Sequence, residues 1–260
     1  MAATVLAFAG KGGSGKTTLA ALVLRQLIRA GRGPVLAVDA DPNATIGLTL
    51  GLEARETIAD LRDRMGQAAQ EVTEIPKERL LGQWLAEVLD ESDGFDLLTM
   101  GRPEGPNCYC YVNGLLRRYL KELRSNYPVV VVDCEAGMEY LSRLTVDDVD
   151  ALVLVAEATP VGLTSAGRIA QLAASLPVRV RRRVLAINKV GPCGPGEALL
   201  FGAKLPQADA AVHVPFDEDV LRRCVRGEPL DDAAGSAARP AVERLVELCF
   251  SAPQAAQGPR

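Results

Sequence analysis

The sequence predicts an α/β protein in which helices flank a doubly wound, mostly parallel β-sheet. One observation is that short apolar runs alternate with longer segments of helical spacing along the 260 residues. A second is that these runs are continuous and rich in valine and leucine, as in parallel strands buried on both faces. A third is that several runs end in polar residues, at the edge where such sheets bind ligands.

The first strand, residues 4–9, leads into a glycine-rich loop and then into a helix whose apolar positions begin at Leu19. The loop has the form G-x-x-x-x-G-K-[ST] in the strand–loop–helix context that a phosphate-binding P-loop requires. Its N–H groups and the helix dipole favour phosphate, Lys16 faces the β- and γ-phosphates, and the Thr17 hydroxyl can bind Mg²⁺. The predicted nucleotide-binding residues of the loop are Gly12, Gly13, Ser14, Gly15, Lys16, Thr17 and Thr18.

Lys11 adds a second lysine, so the loop contains Lys-Gly-Gly-x-Gly-Lys-Thr. It therefore resembles the deviant P-loop of the MinD, ParA and nitrogenase-iron-protein class of dimeric ATPases. The resemblance implies ATP, ADP and Mg²⁺ as ligands, a homodimer, and catalytic roles for Lys11 and Lys16. In that class the early lysine reaches the partner's phosphates across the dimer, as an arginine finger does. A solvated loop lysine is the alternative.

The second predicted strand, Val35–Val38, is followed by Asp39-Ala40-Asp41-Pro42-Asn43. These carboxylates stand at the carboxyl end of a strand, where open α/β sheets bind ligands. The segment resembles switch I of the same ATPase class. The resemblance implies that Asp41 orients the attacking water and that Asp39 belongs to the outer environment of the magnesium ion. The alternative is a helix N-cap and turn.

Residues 50–95 are predicted to cross over the sheet as helices. Two stretches in this region, Thr57–Met65 and Arg79–Leu89, have helical spacing. The second places Trp84 on an apolar face.

Two more strands are predicted at residues 96–100 and 128–133. The second of them ends in Asp133, the Walker B arrangement, in which an aspartate holds Mg²⁺ directly or through water. Cys134-Glu135-Ala136-Gly137 then resembles switch II, where Gly137 would allow the loop to move with the γ-phosphate.

Further strands are predicted at residues 151–156 and 184–188, with a helix over residues 162–174 between them. The second strand ends in a position that resembles the adenine-reading position of the same class, where an asparagine pairs with the adenine edge and apolar residues pack on the ring. The residues that would bind the base are Asn188, Lys189, Val214, Pro215 and Phe216. The lone histidine, His213, is predicted to be packed rather than to bind a ligand.

Cys108 and Cys110 are the candidate ligands for a second metal. In an extended segment, residues two apart face the same side, so both sulfurs can face one ion. Thiolates select Ni, Zn or Cu(I). One chain supplies two of the four ligands of a tetrahedral site, and a two-fold dimer supplies all four. Two packed thiols are the alternative.

The segment Gly101–Cys110 has the sequence Gly-Arg-Pro-x-Gly-Pro-x-Cys-Tyr-Cys and resembles the CooC family. The members of this family are nickel-inserting maturation ATPases of carbon monoxide dehydrogenase, with relatives that serve acetyl-CoA synthase. The resemblance implies Ni²⁺, or Zn²⁺, bound by Cys108 and Cys110 of two subunits, and one of these enzymes as the client. It also implies that ATP hydrolysis is coupled to dimerisation and metal binding.

Two other classes of function stay open. One is a spatial-organising ATPase of the MinD or ParA kind, but residues 242–248 are mixed in charge rather than basic and amphipathic. The other is an iron–sulfur ATPase reductase. There the family's cysteine lies some residues after switch II, whereas Cys134 follows Asp133 directly.

The composition limits which partners and which cellular compartment are expected for the protein. The net charge of −4 argues against a nucleic-acid partner, and the basic cluster Arg179–Arg183 is predicted to be a solvated strand edge. No apolar stretch approaches the roughly 20 residues of a membrane span, and the N-terminus does not resemble a secretory signal. Six cysteines are then expected to be reduced thiols in the cytoplasm. Four of them are predicted to be buried and inert: Cys134, Cys193, Cys224 and Cys249. For Cys134, which follows the Walker B aspartate, coupling to the metal is the alternative.

The chain is predicted to form one ATPase domain over residues 1–250. Its last helix is expected at residues 241–249. Residues 251–260 are expected to be a disordered tail.

Overall fold

The computed structural model describes residues 3–68, 86–102, 114, 117–118, 120–135, 148–176, 178–191, 207–230 and 236–251. The strands are β1 Thr4–Gly10, β2 Val35–Ala40, β3 Leu89–Ser92, β4 Phe95–Thr99, β5 Val129–Cys134, β6 Asp148–Val149, β7 Ala151–Glu157, β8 Arg179–Val180, β9 Arg183–Val190 and β10 Ala210–Pro215. The helices are α1 Lys16–Arg29, α2 Ile46–Leu50, α3 Ile58–Ala68, α4 Pro160–Ser175, α5 Glu218–Arg226 and α6 Arg239–Phe250.

Eight of these strands form one sheet in the order β10-β9-β7-β1-β5-β2-β4-β3. All neighbouring pairs are parallel except β3 and β4, which are antiparallel. The chain builds β2 and β4 on one side of β1, and β7, β9 and β10 on the other. The carboxyl end of β1 therefore lies where the strand order reverses, which is where open α/β sheets bind ligands. The predicted fold class is confirmed.

Both faces of the sheet are buried, and β5 shows how. Its side chains alternate between the faces, as in any strand. Val130 and Val132 belong to the apolar cluster that contains Leu163 of α4. Val129 and Val131 belong to the cluster on the opposite face, with residues of α1 and α6. A strand covered on both sides needs apolar residues at every position, which explains the continuous valine run.

The helical prediction is right for the first pattern between residues 50 and 95 and wrong at the end of the second. The pattern at Thr57–Met65 corresponds to α3, whereas Leu89 begins the strand β3. The reason is the hairpin turn Asp93-Gly94, because this pair closes two antiparallel strands with Ser92 opposite Phe95. Most of the second pattern, including Trp84, lies outside the described residues.

The expectation for His213 is also wrong, and the expectation for the basic cluster is wrong at Arg182, whereas Arg179 and Arg181 are exposed as predicted. Arg182, in the basic cluster predicted to be solvated, is 5% exposed, and its Nη1 donates to the carbonyl oxygen of Ser251 at 2.8 Å. It therefore ties the end of α6 to the sheet. His213 is exposed rather than packed, because β10 is the edge strand and its inward positions are Val212 and Val214.

Candidate functional site

The glycine-rich loop joins β1 to α1 at the carboxyl edge of the sheet. Lys16 is the first residue of α1 and is buried, whereas Lys11 is exposed. Gly15 has a φ of 91°, and a Cβ atom there would lie 2.3 Å from Asn188 Nδ2, so the position requires glycine. Of the other predicted loop residues, Gly12 and Gly13 are exposed, Ser14 is buried, and Thr17 and Thr18 are half-buried.

Two buried carboxylates lie beneath this loop. Asp39 of β2 and Asp133 of β5 are adjacent in the strand pairing, and both are 0% exposed. The Thr17 hydroxyl donates to Asp133 Oδ2 at 2.6 Å. Asp133 Oδ1 has no hydrogen-bond partner among the residues that the structure describes. A buried, unpaired carboxylate oxygen is costly, and a bound cation would compensate it. Thr17 and Asp133 thus fit a Mg²⁺ site.

The surroundings of these carboxylates raise their pKa values. Burial raises the pKa of Asp133 to about 6, against the lowering effects of the Thr17 hydrogen bond and the Lys16 charge. Burial, followed by the negative charge of Asp133, raises the pKa of Asp39 to about 7. Without a cation, the site therefore resists carrying two negative charges at neutral pH.

Asp39 also holds the segment that follows β2. Its carboxylate accepts the backbone N–H groups of Asp41 and Ile46, at 3.1 and 2.9 Å. The carboxylate of Asp41 accepts both the backbone N–H and the side-chain amide of Asn43, at 2.9 and 2.8 Å. The turn that was the alternative interpretation is therefore present, and the predicted role of Asp41 toward water remains a prediction.

A cavity of about 370 Å³ adjoins the loop on the side of β9 and β10. The loop and α5 both contribute residues to its lining. Its lining includes the five residues predicted to bind the base, Asn188, Lys189, Val214, Pro215 and Phe216, together with Val220, Leu221 and Cys224 of α5. Phe216 and Leu221 are 45% and 49% exposed, as expected for apolar walls that a flat ligand would cover.

Asn188 and Lys189 contact the glycine-rich loop itself. The Asn188 side-chain amide donates to the carbonyl oxygen of Ser14 at 2.9 Å. The Lys189 ammonium donates to the carbonyl oxygen of Gly13 at 2.6 Å and to Glu157 Oε1 at 3.0 Å. The structure therefore brings the predicted base-binding and phosphate-binding residues together in one continuous site.

Asp217 was not predicted, yet it organises one wall of the cavity. Its Oδ1 accepts the N–H groups of Asp219 and Val220, which caps α5. Its Oδ2 accepts the Ser236 hydroxyl at 2.5 Å and the N–H of Ala238 at 2.9 Å. Burial raises the pKa of Asp217, but these hydrogen bonds outweigh burial and hold it below its usual value.

The helix α5 carried sequence signals that were missed. An aspartate cap is followed by acidic residues in the first turn, and arginines in the last turn are followed by Gly227, which has a φ of 66°. These are the start and stop signals of a helix. Glu157 carried no such signal, because its partner Lys189 lies on a different strand.

The cysteines fall into three groups. Cys134 and Cys249 are buried, as predicted, and burial raises the pKa of both thiols, that of Cys249 to about 12. Cys224 is exposed, so the prediction that it is buried is wrong. Residues that lie outside the described part are Cys108, Cys110, Gly137 and Cys193. Within the described part, no group of three or more His, Cys, Asp or Glu side chains could hold a metal ion.

Residues 5–230 match the family model described as the CobQ/CobB/MinD/ParA nucleotide binding domain. The chain belongs to this family. Membership agrees with the presence of the glycine-rich loop between β1 and α1, with the buried carboxylates and the cavity beside it. The predicted resemblance to MinD- and ParA-type proteins is therefore confirmed at the level of the family.

Similar proteins are consistent with this membership. The chain is 36% identical over 231 residues to an uncharacterized ATP-binding protein of Methanocaldococcus jannaschii, covering 87% of this chain and 90% of the relative. It is 29% identical over 227 residues to the carbon monoxide dehydrogenase accessory protein CooC of Rhodospirillum rubrum, covering 83% and 84%. The fold matches the septum site-determining protein MinD of Pyrococcus horikoshii, complexed with Mg-ADP. That match has a TM-score of 0.68 and 20% identity, and covers 94% of this chain and 95% of MinD.

Among the helices that the structure describes, none is both long and apolar enough to cross a bilayer.

Proposed function

We propose that this family member is a Mg²⁺-dependent ATPase that converts ATP and water to ADP and phosphate. The observation that carries the proposal is the contact between Thr17 of the loop and Asp133, whose second carboxylate oxygen has no partner among the described residues. Thr17 and Asp133 would hold Mg²⁺, and Asp39, which is paired with Asp133 in the sheet, would belong to the outer environment of the ion. When bound, this ion neutralises the charge that develops on the phosphate oxygens.

The residues of the loop and of the segment after β2 take separate roles. Lys16 binds the β- and γ-phosphates at the N-terminus of α1, and Lys11 reaches the phosphates of a second subunit. Asp41 orients the water that attacks the γ-phosphorus, while the bond from that phosphorus to the leaving oxygen of ADP breaks. Because the Asp41 carboxylate is bound to Asn43, this segment must rearrange before it can meet the water.

The cavity beside the loop would take the adenine. Its apolar walls, Val214, Pro215 and Phe216, suit a flat ring, and Asn188 lies between this wall and the loop. Gly137 would let the segment after β5 follow the γ-phosphate. It lies outside the described residues, so this role rests on the resemblance of its segment to switch II.

We further propose that ATP hydrolysis serves the insertion of nickel into the active-site cluster of carbon monoxide dehydrogenase or acetyl-CoA synthase. The Cys108-Tyr109-Cys110 motif and the 29% identity to a carbon monoxide dehydrogenase accessory protein support this. Two subunits would each give two thiolates to one Ni²⁺, or Zn²⁺, in a homodimer. The protein would act in the cytoplasm, where thiols stay reduced.

The shared site is tested by titrating Ni²⁺ into the wild type and into the double variant Cys108→Ser/Cys110→Ser. The wild type should bind one ion per two chains, with thiolate-to-metal absorption and a dimer mass, and the double variant should lose all three. Affinity should fall with falling pH because thiolate binding releases protons. Cys224→Ser, which removes an exposed thiol, is the matched control. One ion per chain, or binding that survives in the double variant, would exclude the shared site.

The expected effect in the cell is a client enzyme that is folded but deficient in nickel. Deleting the gene and measuring the metal content of the purified client tests this. A fully loaded client would contradict the nickel proposal and leave the ATPase proposal intact.

A spatial-organising ATPase of the MinD or ParA kind is the alternative, since those proteins share the family. For MinD, membrane attachment needs a free amphipathic C-terminal helix. In this chain α6 buries Val242, Leu245 and Val246 in the core, so these residues do not face a membrane. Liposome and DNA pull-downs with ATP separate this alternative from the nickel proposal. A visible absorption spectrum separates both from an iron–sulfur reductase.

We also propose that residues 1–250 form one ATPase domain and that residues 251–260 are a tail outside it. Ser251, the first residue of this tail, still contacts the domain, because its carbonyl oxygen accepts a hydrogen bond from Arg182. Removal of residues 252–260 should then leave ATP hydrolysis unchanged.

A further inference from the structure

The carboxyl end of β9 contains a β-bulge that faces the glycine-rich loop. The register between β9 and β10 shifts at this point, so Asn188 and Lys189 together stand opposite the single residue Val214. Lys189 has a φ of 57°, in the left-handed region that few non-glycine residues adopt. Bulges of this kind re-aim side chains and occur next to active sites.

The bulge turns two consecutive side chains toward the same loop. In a regular strand, neighbouring side chains point to opposite faces of the sheet. Here Asn188 donates to the carbonyl oxygen of Ser14, and Lys189 donates to that of Gly13. Because the left-handed backbone is unfavourable for a lysine, the contacts of its side chain must stabilise it.

Glu157 of β7 completes the arrangement. Its Oε1 lies 3.0 Å from the Lys189 ammonium, and it is paired with Asn188 in the register of β7 and β9. The ammonium is therefore held between a backbone carbonyl and a carboxylate of the same chain. Its charge is balanced within the protein.

We propose that Lys189 and Glu157 are positioning residues that orient the peptide groups of the phosphate-binding loop. In a trans peptide the N–H points away from the C=O, so holding the carbonyls of Gly13 and Ser14 aims the following N–H groups to the opposite side. On that side the N–H of Ser14 donates a hydrogen bond to the carbonyl oxygen of Lys11 at 3.2 Å. A phosphate oxygen would replace this carbonyl as the acceptor.

This inference rests only on the nucleotide-binding half of the proposed function. It assigns Lys189 to the loop rather than to the base. The two assignments can be separated by comparing the affinity of ligands that contain adenine with that of ligands that contain only phosphates. A loop defect should weaken every ligand that has phosphates, whereas a base-pocket defect should weaken only ligands that have adenine.

The experiment measures displacement of fluorescent N-methylanthraniloyl-ADP by ADP and by inorganic tripolyphosphate, with Mg²⁺ present. Lys189→Met should weaken both competitors by about tenfold, as expected for a hydrogen bond from a charged group. Glu157→Gln, which keeps the shape of the side chain, should weaken both by roughly threefold. Lys121→Met removes an exposed lysine away from the loop and is the matched control.

Equal loss for the two competitors supports the proposal. Unchanged affinities in both variants, or a loss for ADP with tripolyphosphate unaffected, would overturn it, the latter result placing Lys189 at the base. If Lys189→Met does not fold, Glu157→Gln decides. Absence of ADP binding by the wild type would overturn the inference together with the ATPase proposal, whereas absence of nickel binding would leave it standing.

Discussion

At the scale of single residues, the paired carboxylates Asp39 and Asp133 dominate the chemistry of the site. Both are fully buried on adjacent strands, and one oxygen of Asp133 lacks a partner among the described residues. In most proteins carboxylates are exposed to water, and those that are buried are paired with a cationic group. Their position beneath the glycine-rich loop therefore makes a cation a requirement for full compensation of their charge.

The stability of the metal-free protein should depend on these two groups. Because their pKa values are raised from 3.8, the folded state holds their protons more tightly than the unfolded state does. The stability they contribute is complete below about pH 4 and is lost as the pH rises through about 6 and 7. For Asp133 the loss is about 3 kcal/mol, from a shift to about 6.

Urea unfolding between pH 4 and pH 8 measures this effect in the wild type and in Asp133→Asn. The wild type should lose more free energy of unfolding over this range than the variant, and Mg²⁺ with ADP should restore part of it at pH 8. Thr18→Ser, which leaves the carboxylates unchanged, serves as the control. Identical pH dependence in the wild type and Asp133→Asn would contradict the assignment.

At the scale of elements, the aspartate that precedes α5 connects this helix to the start of α6. Asp217 caps α5 and also accepts hydrogen bonds from Ser236 and Ala238, which lie just before Arg239, the first residue of α6. One carboxylate thereby connects the wall of the cavity to the helix that packs against α1. The apolar residues of α5 that face the cavity depend on it for their position.

Asp217→Asn should lower the free energy of unfolding by about 1–3 kcal/mol, because an amide cannot accept all four hydrogen bonds. The pKa of Asp217 is lowered in the folded state, so its contribution is present above the pKa of the unfolded chain. The difference between wild type and variant should therefore shrink as the pH falls into the range where aspartate is protonated. Denaturant unfolding at pH 7 and at low pH measures it.

The exposed neighbour Glu218, substituted as Glu218→Gln, is the matched control for this experiment. It should change the stability little. A stable Asp217→Asn variant would show that Ser236 and Ala238 hold α6 without it.

At the scale of the whole molecule, the different exposure of the two loop lysines, Lys16 and Lys11, indicates that they bind phosphates of different subunits. Lys16 is buried at the N-terminus of α1, where it would face the phosphates of a nucleotide bound to the same chain. Lys11 is exposed on the carboxyl edge of the sheet, where a second subunit could approach. The proposed dimer would make one lysine a binding group and the other a catalytic group.

Lys16→Ala should abolish nucleotide binding, because it removes the charge that faces the phosphates. Lys11→Ala should keep ADP affinity within a few-fold but lower turnover by about 10³, by analogy with the loss of an arginine finger. ADP titration and phosphate release measure the two effects, with Lys121→Ala as a control for the loss of an exposed lysine. Normal hydrolysis by Lys11→Ala would rule out its action across the dimer.

The sequence alone predicted the fold and the loop because both depend on local patterns. Short, continuous apolar runs rich in valine and leucine favour buried strands, and a G-x-x-x-x-G-K-[ST] loop between a strand and a helix is typical of phosphate binding. The position of Asp133 at the end of a valine run followed from the same pattern. The hairpin at Asp93-Gly94 was also encoded locally, and it was missed because helical spacing was given more weight.

Other features depend on residues far apart in the chain, and only the tertiary structure decided them. The pairing of Asp39 with Asp133 needs β2 and β5 to be neighbours, and no local pattern sets that order. Arg182 is buried because the end of α6 lies over it, and Lys189 meets Gly13 because a bulge turns it. Local spacing determines which element a segment forms, whereas the burial and partners of a side chain are determined by the elements that pack around it.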